Sequence, residues 1–265
     1  MLKLPDVTLL MIETREYELA RLAVEDCMKA AEFGEVLVIS DDGWPVMETH
    51  GNNTVRYHTI KDPPSKVDWC RALWFEAPPQ LRTSHVLQIQ WDSWICDPEI
   101  WSDDFLKYDY IGAPWWYKDG KNVGNSGFSL VSTALKRYIC DRRWQFPCDT
   151  SVEDDLLCRK YRPALEDAGF VWAPEWVAHN FAFECCRPSK HSRHFGFHAA
   201  FNFPEVLDRV RLKERVRAMI RSPYISRGYM MKALAEHHLT LIKDLLTEID
   251  ADEQALPVQS DLSSV

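Results

Sequence analysis

The chain has 265 residues, 46% of them hydrophobic, and carries a net charge of −9. That is a globular composition, and the length suits one large α/β domain or two small ones. The acidity argues against nucleic acid or anionic lipid as a partner for the whole surface, and the one basic stretch, "RVRLKERVRAMIRS" (209–222), reads as the solvated face of an amphipathic helix.

The opening residues "MLKLPDVTLLMIETRE" do not form a signal peptide, because the apolar run is short, is broken by Pro5 and Asp6, and is followed by no small-residue cleavage site. No run approaches the ~20 apolar residues of a membrane span. The chain has 8 cysteines and no CxxC pair. Most of them, such as Cys27, Cys140 and Cys158, fall inside periodic segments. Buried free thiols in a reducing cytoplasm account for this better than a disulfide framework. Cys185 and Cys186 are adjacent and show no metal-ligand spacing around them.

In chain order, "VTLLMIE" (7–13) is a short apolar run at the start. A helix follows over 16–33, with Leu19, Leu22, Ala23, Cys27, Ala30 and Ala31 on one face and Gly34 as its stop. "EVLVIS" (35–40) and "VRYHTI" (55–60) are strands. A helix over 65–75 has Ser65 as its N-cap. "HVLQIQ" (85–90) is a fourth strand. Continuous apolar runs alternating with helices imply a parallel sheet covered on both faces. In such sheets ligands bind beyond the carboxyl ends of the strands. That rim holds Glu13 and Thr14, Ser40 to Asp42, and Asp92. Further on, a short helix opens at Pro98, "FSLVS" (128–132) is a strand, and helices cover 133–141, 153–168, 204–221 and 227–250. There is no internal repeat.

Four segments carry possible chemistry, and each has a plainer alternative. In "QWDS" (90–93), Asp92 is either a turn cap or an oxygen ligand for Mg²⁺ or Mn²⁺. In "VGNSGFSLVS" (123–132), Gly124 and Gly127 bracket Asn125 and Ser126. Glycine permits positive φ and close backbone approach, which suits either a tight turn or the wall of a sugar or phosphate pocket. In "TSVEDDLLCRKY" (150–161), the acids either complement a helix dipole or include a general base. In "RHFGFHAAFNF" (193–203), His198 is either a packed core residue or a metal ligand.

Together and in this order the four segments resemble the motifs of GT-A fold glycosyltransferases. Gln90-Trp91-Asp92 is similar to the Asp-x-Asp metal motif, Gly124 to Gly127 to the glycine-rich loop, Val152-Glu153-Asp154 to the x-Glu-Asp motif, and His198 to the C-terminal metal histidine. The blocks "DYIGAPWW", "GNSGFSLVS" and "FGFHAAFNF" are similar to an uncharacterised group of bacterial GT-A-like proteins. The likeness covers 7–203. It implies an α/β fold with a mostly parallel, Rossmann-like central sheet flanked by helices, assigned to 1–203. A helical C-terminal extension (204–250) and a disordered tail (251–265) follow.

The resemblance also implies a function: transfer of a sugar from a nucleotide-diphosphate donor to a glycan or other hydroxyl acceptor, dependent on a divalent cation (Mn²⁺ or Mg²⁺) and inverting. Its implied donor residues are Glu13, Thr14, Lys66, Gln90, Asp92 and Ser93. Trp115, Gly124, Asn125, Ser126 and Gly127 would wall the acceptor or sugar pocket. Asp92 and His198 would hold the metal, and Asp154, with Glu153 beside it, would be the base. Gln90 replaces the first acid of the metal motif; it can hydrogen-bond a ribose hydroxyl but supplies no charge. Trp91, Trp94, Trp115 and Trp116 are candidates for stacking sugars, while Trp74 and Trp101 read as core. The expected setting is cytoplasmic, without nucleic acid. Two alternatives remain: a sugar nucleotidyltransferase or hydrolase, against which "MIETREYE" lacks the usual glycine-rich loop, and a non-catalytic carbohydrate-binding protein on the same fold.

Overall fold

The structure, a computed structural model, describes residues 1–45, 47–235 and 238–255. The chain divides into two compact units, Met1–Ala199 and Ala200–Val265.

The first unit opens with β1 (Leu2–Ile12), α1 (Tyr17–Ala30), β2 (Ala31–Ser40), β3 (Val55–Thr59), α2 (Lys66–Arg71) and β4 (His85–Ile89). It continues with β5 (Trp94–Ile95), β6 (Tyr110–Ile111), β7 (Phe128–Ser132), α3 (Thr133–Asp141), α4 (Glu153–Asp155), α5 (Arg162–Asp167), α6 (Glu175–Phe181), β8 (Ala182–Phe183) and β9 (Gly196–Phe197). The main sheet has six strands in the order β3-β2-β1-β4-β7-β6. β3, β2, β1 and β4 are mutually parallel, and β7 runs antiparallel to both β4 and β6. This is the mixed α/β, mostly parallel architecture expected from the alternating apolar runs. β2 and β4 lie on either side of β1, so the chain reverses its direction of travel across the sheet between β1 and β4.

The apolar runs are strands because both of their faces are covered. Leu9, Leu10, Val36 to Ile39, Val86 and Leu87 are all buried. Each such side chain contributes about 1.5–3 kcal/mol relative to exposure.

Several expected boundaries move, for local reasons. The helix expected over 16–33 ends at Ala30, and Gly34 lies inside β2 instead of stopping a helix. Pro5 has no N–H to give the ladder, and the β1–β2 register shifts between Leu4 and Thr8. Gly34 sits against that irregularity, where a Cβ would come within 2.0 Å of the Pro5 carbonyl oxygen. The helix expected over 65–75 begins under its Ser65 cap and loosens into a π turn, Ala72–Glu76. The helix expected over 153–168 is interrupted by another π turn, Leu156–Lys160, and restarts as α5 with Pro163 in its first turn. The short helix expected at Pro98 is a 3₁₀ turn, Pro98–Ile100. A second sheet of three two-residue strands, β5-β9-β8, was not anticipated.

The second unit holds α7 (Phe203–Val206), α8 (Arg209–Arg221), α9 (Arg227–Ala235) and α10 (Leu239–Ala255). Asp208 caps α8, accepting from the Val210 and Arg211 amides. Arg209 and Lys213 on α8 pair with Glu248 on α10. Of the disordered tail expected over 251–265, residues 251–255 belong to α10, which continues to Ala255; residues 256–265 lie outside the described residues. No helix among the described residues is long and apolar enough to cross a membrane.

Candidate active site

A cavity of about 260 Å³ opens at the carboxyl ends of β1 and β4, where the strand order reverses. Such a switch point is where open α/β sheets bind ligands. Its walls come from three places: Glu13 to Glu16 after β1, Pro63 to Trp69 around the start of α2, and Gln90 and Trp91 after β4. The expected donor residues Glu13, Thr14, Lys66 and Gln90 all line it. The Glu13 carboxylate accepts from the Thr14 and Arg15 amides at 2.9 and 3.0 Å. Burial raises its pKa, and these amides oppose the rise. Trp69 joins the wall by donating to the Ile12 carbonyl at 3.1 Å. Asp41 and Ser40 turn away to structural work: Asp41 accepts from the Tyr17 hydroxyl, and Ser40 donates to the Glu13 carbonyl.

One residue past the cavity wall, Asp92 is buried, and its Oδ1 has no hydrogen bond of good geometry. His198 Nε2 lies 3.4 Å from that oxygen, and Glu184 Oε1 lies 3.0 Å from Nδ1 on the other side of the ring. Burial pulls the imidazole pKa down, but Asp92 and Glu184 outweigh it and hold it at about 10. With Nδ1–H committed to Glu184, Nε2 is the atom aimed at Asp92. A carboxylate behind a metal-ligating histidine is the usual arrangement for fixing its tautomer. At a pKa of about 10 the ring carries both of its protons at neutral pH, so a divalent cation would have to displace the Nε2 proton before Nε2 and the facing Asp92 oxygen could both serve as ligands. Among the described residues, no group of three or more His, Cys, Asp or Glu side chains forms a complete cage. The remaining ligands would therefore have to come from phosphate and water, as is common for Mg²⁺. Glu184 went unmarked in the sequence. It follows the two-residue strand β8 in "FAFECC", where no periodicity or motif flags an acid.

The glycine-rich segment packs against this pair. A Cβ at Gly127 would fall 2.1 Å from His198 Nε2, and one at Gly124 would fall 2.1 Å from the Trp115 ring. Both glycines therefore serve close approach, while the positive φ expected of them belongs to Asn125, at 63°. Asn125 Oδ1 accepts from the Gly127 amide at 3.2 Å. Ser93 is fully buried, and its hydroxyl bonds the Gly127 carbonyl at 2.6 Å, so it holds the segment and is closed to a ligand.

Ser126 donates to Glu153, which is itself buried. Gln88 Nε2 donates to the Ser126 carbonyl at 2.9 Å, and Lys136 Nζ donates to Gln88 Oε1 at 2.8 Å. Burial lowers the Lys136 pKa to about 8, against the opposing charge of Glu153. Glu153 is thus internal wiring. Asp154, one residue on, is only half-buried. Desolvation first and the Glu153 charge second raise its pKa to about 6, while His198 pulls the other way.

The tryptophans separate by burial. Trp94, expected at the rim, is 2% exposed and packs edge-on to Phe197, with ring centroids 4.6 Å apart. Its place in the short β5-β9 sheet closes it to any sugar. Trp74 is core as expected, and Trp101 packs on Phe105 and Phe195. Trp115 is buried over Gly124 while Trp116 projects into solvent.

A family described as "Protein of unknown function (DUF5672)" matches residues 71–198. That stretch contains Asp92, Gly124 to Gly127, Glu153, Asp154, Glu184 and His198, and leaves out Glu13, Thr14 and Lys66. No curated protein matches the chain. Among solved structures, one described as a glycosyltransferase involved in the glycosylation of the major capsid of PBCV-1 is similar at 11% identity and a TM-score of 0.47, over 80% of this chain and 98% of that one. At that level of likeness neither chain's chemistry transfers to the other.

Proposed function

We propose that the protein is a glycosyltransferase that moves a sugar from a nucleotide-diphosphate donor to an acceptor hydroxyl, with a divalent cation (Mn²⁺ or Mg²⁺) held by Asp92 and His198. The observation that supports this reading is the buried Asp92–His198 pair, whose Asp92 follows directly on Trp91 in the wall of the cavity at the β1/β4 switch point, with Asp154 near enough to feel the His198 charge. Glu13, Thr14 and Lys66 form the wall that receives the nucleotide, and Gln90 offers its amide to a ribose hydroxyl. When bound, the cation would offset the charge that develops on the leaving diphosphate. Glu184 holds the His198 ring in the tautomer that presents Nε2. Asp154, ionised at neutral pH and of raised basicity, takes the proton of the attacking acceptor hydroxyl. Glu153 stays buried and fixes the Ser126 turn that carries Gly127 against His198. A base that acts on the acceptor directly gives inversion at the anomeric carbon. The eight cysteines, none of them in a disulfide, support a reducing, cytoplasmic setting.

Calorimetry with UDP and GDP, with and without Mn²⁺, tests the reading on wild type and Asp92→Ala. Wild type should bind one of the two at least ~10-fold tighter with Mn²⁺, and the variant should lose most of that difference. A panel of sugar nucleotides should then show slow diphosphate release by the wild type. Equal affinity with and without the cation, or no turnover of any donor, overturns the proposal.

A further inference from the structure

Beside the centre lies a second, larger cleft of about 710 Å³. Two chain segments connect it to the His198 pair. Residues 122–127 have Asn122 in the cleft and Gly127 under the His198 ring. Residues 184–187 have Glu184 on His198 Nδ1 and Cys185 to Arg187 in the cleft. The cleft therefore opens within a few residues of the proposed reacting centre, on walls separate from those of the donor cavity.

One wall is a braced aromatic platform. Trp116 is 62% exposed, and its ring lies 5.3 Å from that of Tyr117 at 36°. The Arg159 guanidinium sits 3.6 Å over the Tyr117 ring and is fixed by Asp119 at 2.7 Å and the Lys121 carbonyl at 3.0 Å. Trp115, edge-on to Tyr117 and seated over Gly124, holds the other side. An exposed indole lining a concavity, packed against a braced tyrosine, can stack on a flat, partly apolar ligand. Around it stand hydrogen-bonding groups: Asn122, Glu175 and His179, the last two 3.4 Å apart. The volume is that of a small-ligand pocket, not of a protein interface.

We infer that this cleft binds the saccharide end of the acceptor, with one sugar ring stacked on Trp116 and its hydroxyls held by Glu175, His179 and Asn122. The inference rests on the transferase reading above for its role, and on the cleft's own walls for its ligand. A ring seated there brings one of its hydroxyls, or that of the next sugar, toward Asp154 and His198. The acceptor class is thereby a glycan, in preference to an amino-acid side chain or a lone small alcohol.

The test is a ligand-observed NMR titration of the full chain with lactose, cellobiose and maltose, run on wild type, Trp116→Ala and Trp116→Phe. Nucleotide diphosphate binding with Mn²⁺ is measured on the same samples. At least one disaccharide should bind wild type in the millimolar range. Trp116→Ala should weaken it ~10-fold or more, while Trp116→Phe keeps most of the affinity. Nucleotide binding should be unchanged in both variants, since Trp116 does not line the donor cavity. No disaccharide binding by wild type, or equal binding by Trp116→Ala, overturns the inference. Failure here with cation-dependent nucleotide binding intact leaves the transferase reading standing. Disaccharide binding without any nucleotide binding keeps the cleft's ligand and removes its role as an acceptor site.

Discussion

At Asp154 two effects act on one carboxyl group: desolvation and the charge of buried Glu153 together hold its pKa at about 6. For chemistry this is useful, because the group is still ionised at neutral pH and is a stronger base than an exposed aspartate. The transfer rate should therefore fall as pH drops through about 6, approaching tenfold per unit below it, and a rate profile at saturating donor measures this. For stability the same shift has the opposite sense. A raised carboxylate pKa means that the folded chain binds the proton more tightly than the unfolded one, so stability is lost as pH rises from the unfolded value near 4 through 6. Asp154→Asn should then lower the rate by on the order of 10²-fold or more, leave nucleotide affinity in place, and melt no lower than wild type at pH 7–8. If Asp154 merely capped its helix, the variant would stay active and melt lower, by about 1 kcal/mol. Rate, affinity and melting on the one variant separate the two roles.

The segment 123–127 and the start of α4 act as one piece, because Ser126 bonds Glu153 while Gly127 carries the His198 ring. Gly127→Ala should cost at least ~10-fold in rate and about 1–3 kcal/mol in stability, since the new methyl must displace either the ring or the segment. The same piece is anchored by Lys136 through Gln88. Lys136→Met should destabilise by about 1–2 kcal/mol, because it removes the donor to Gln88 and a charge that partly offsets that of Glu153. Adding Glu153→Gln should recover part of that loss, a coupling that chemical denaturation of both single variants and the double variant would read. Much of this was legible in the sequence. The six-residue apolar runs at Glu35 and His85 announced buried parallel strands, and Asp92, the Gly-Asn-Ser-Gly turn, Asp154 and His198 stood out by order. The rest was illegible for physical reasons. Strands of two residues have no period to detect, which hid β5, β8 and β9 and with them Glu184. Gly34 looked like a helix stop because its true reason, the carbonyl of Pro5 across the ladder, is non-local. Ser93 and Glu153 looked like ligand groups because sequence shows a side chain's chemistry and not the partner that already occupies it.

At the scale of the whole molecule, every residue assigned to donor, cation and base lies within the Met1–Ala199 unit. A ligand that binds only the folded state raises that unit's melting transition with the logarithm of its concentration over its dissociation constant. UDP or GDP alone should shift the transition little, because the diphosphate then lacks the cation that would link it to the Asp92 carboxylate. Mn²⁺ alone should also shift it little, because among the described residues no ready cage of three or more such side chains exists. Together, at about 100 times the dissociation constant, they should add about 2.7 kcal/mol, which for a chain of this size raises the melting temperature by on the order of 5–10 °C. The non-additivity is the informative quantity, since it measures the coupling between nucleotide and cation directly. Asp92→Ala should abolish the excess shift while keeping the small nucleotide shift, because the Glu13–Lys66 wall is untouched. A large shift with Mn²⁺ alone would mean a resident structural metal. Equal shifts with and without Mn²⁺ would mean that the Asp92–His198 pair is an ordinary buried ion pair and takes no part in binding the donor.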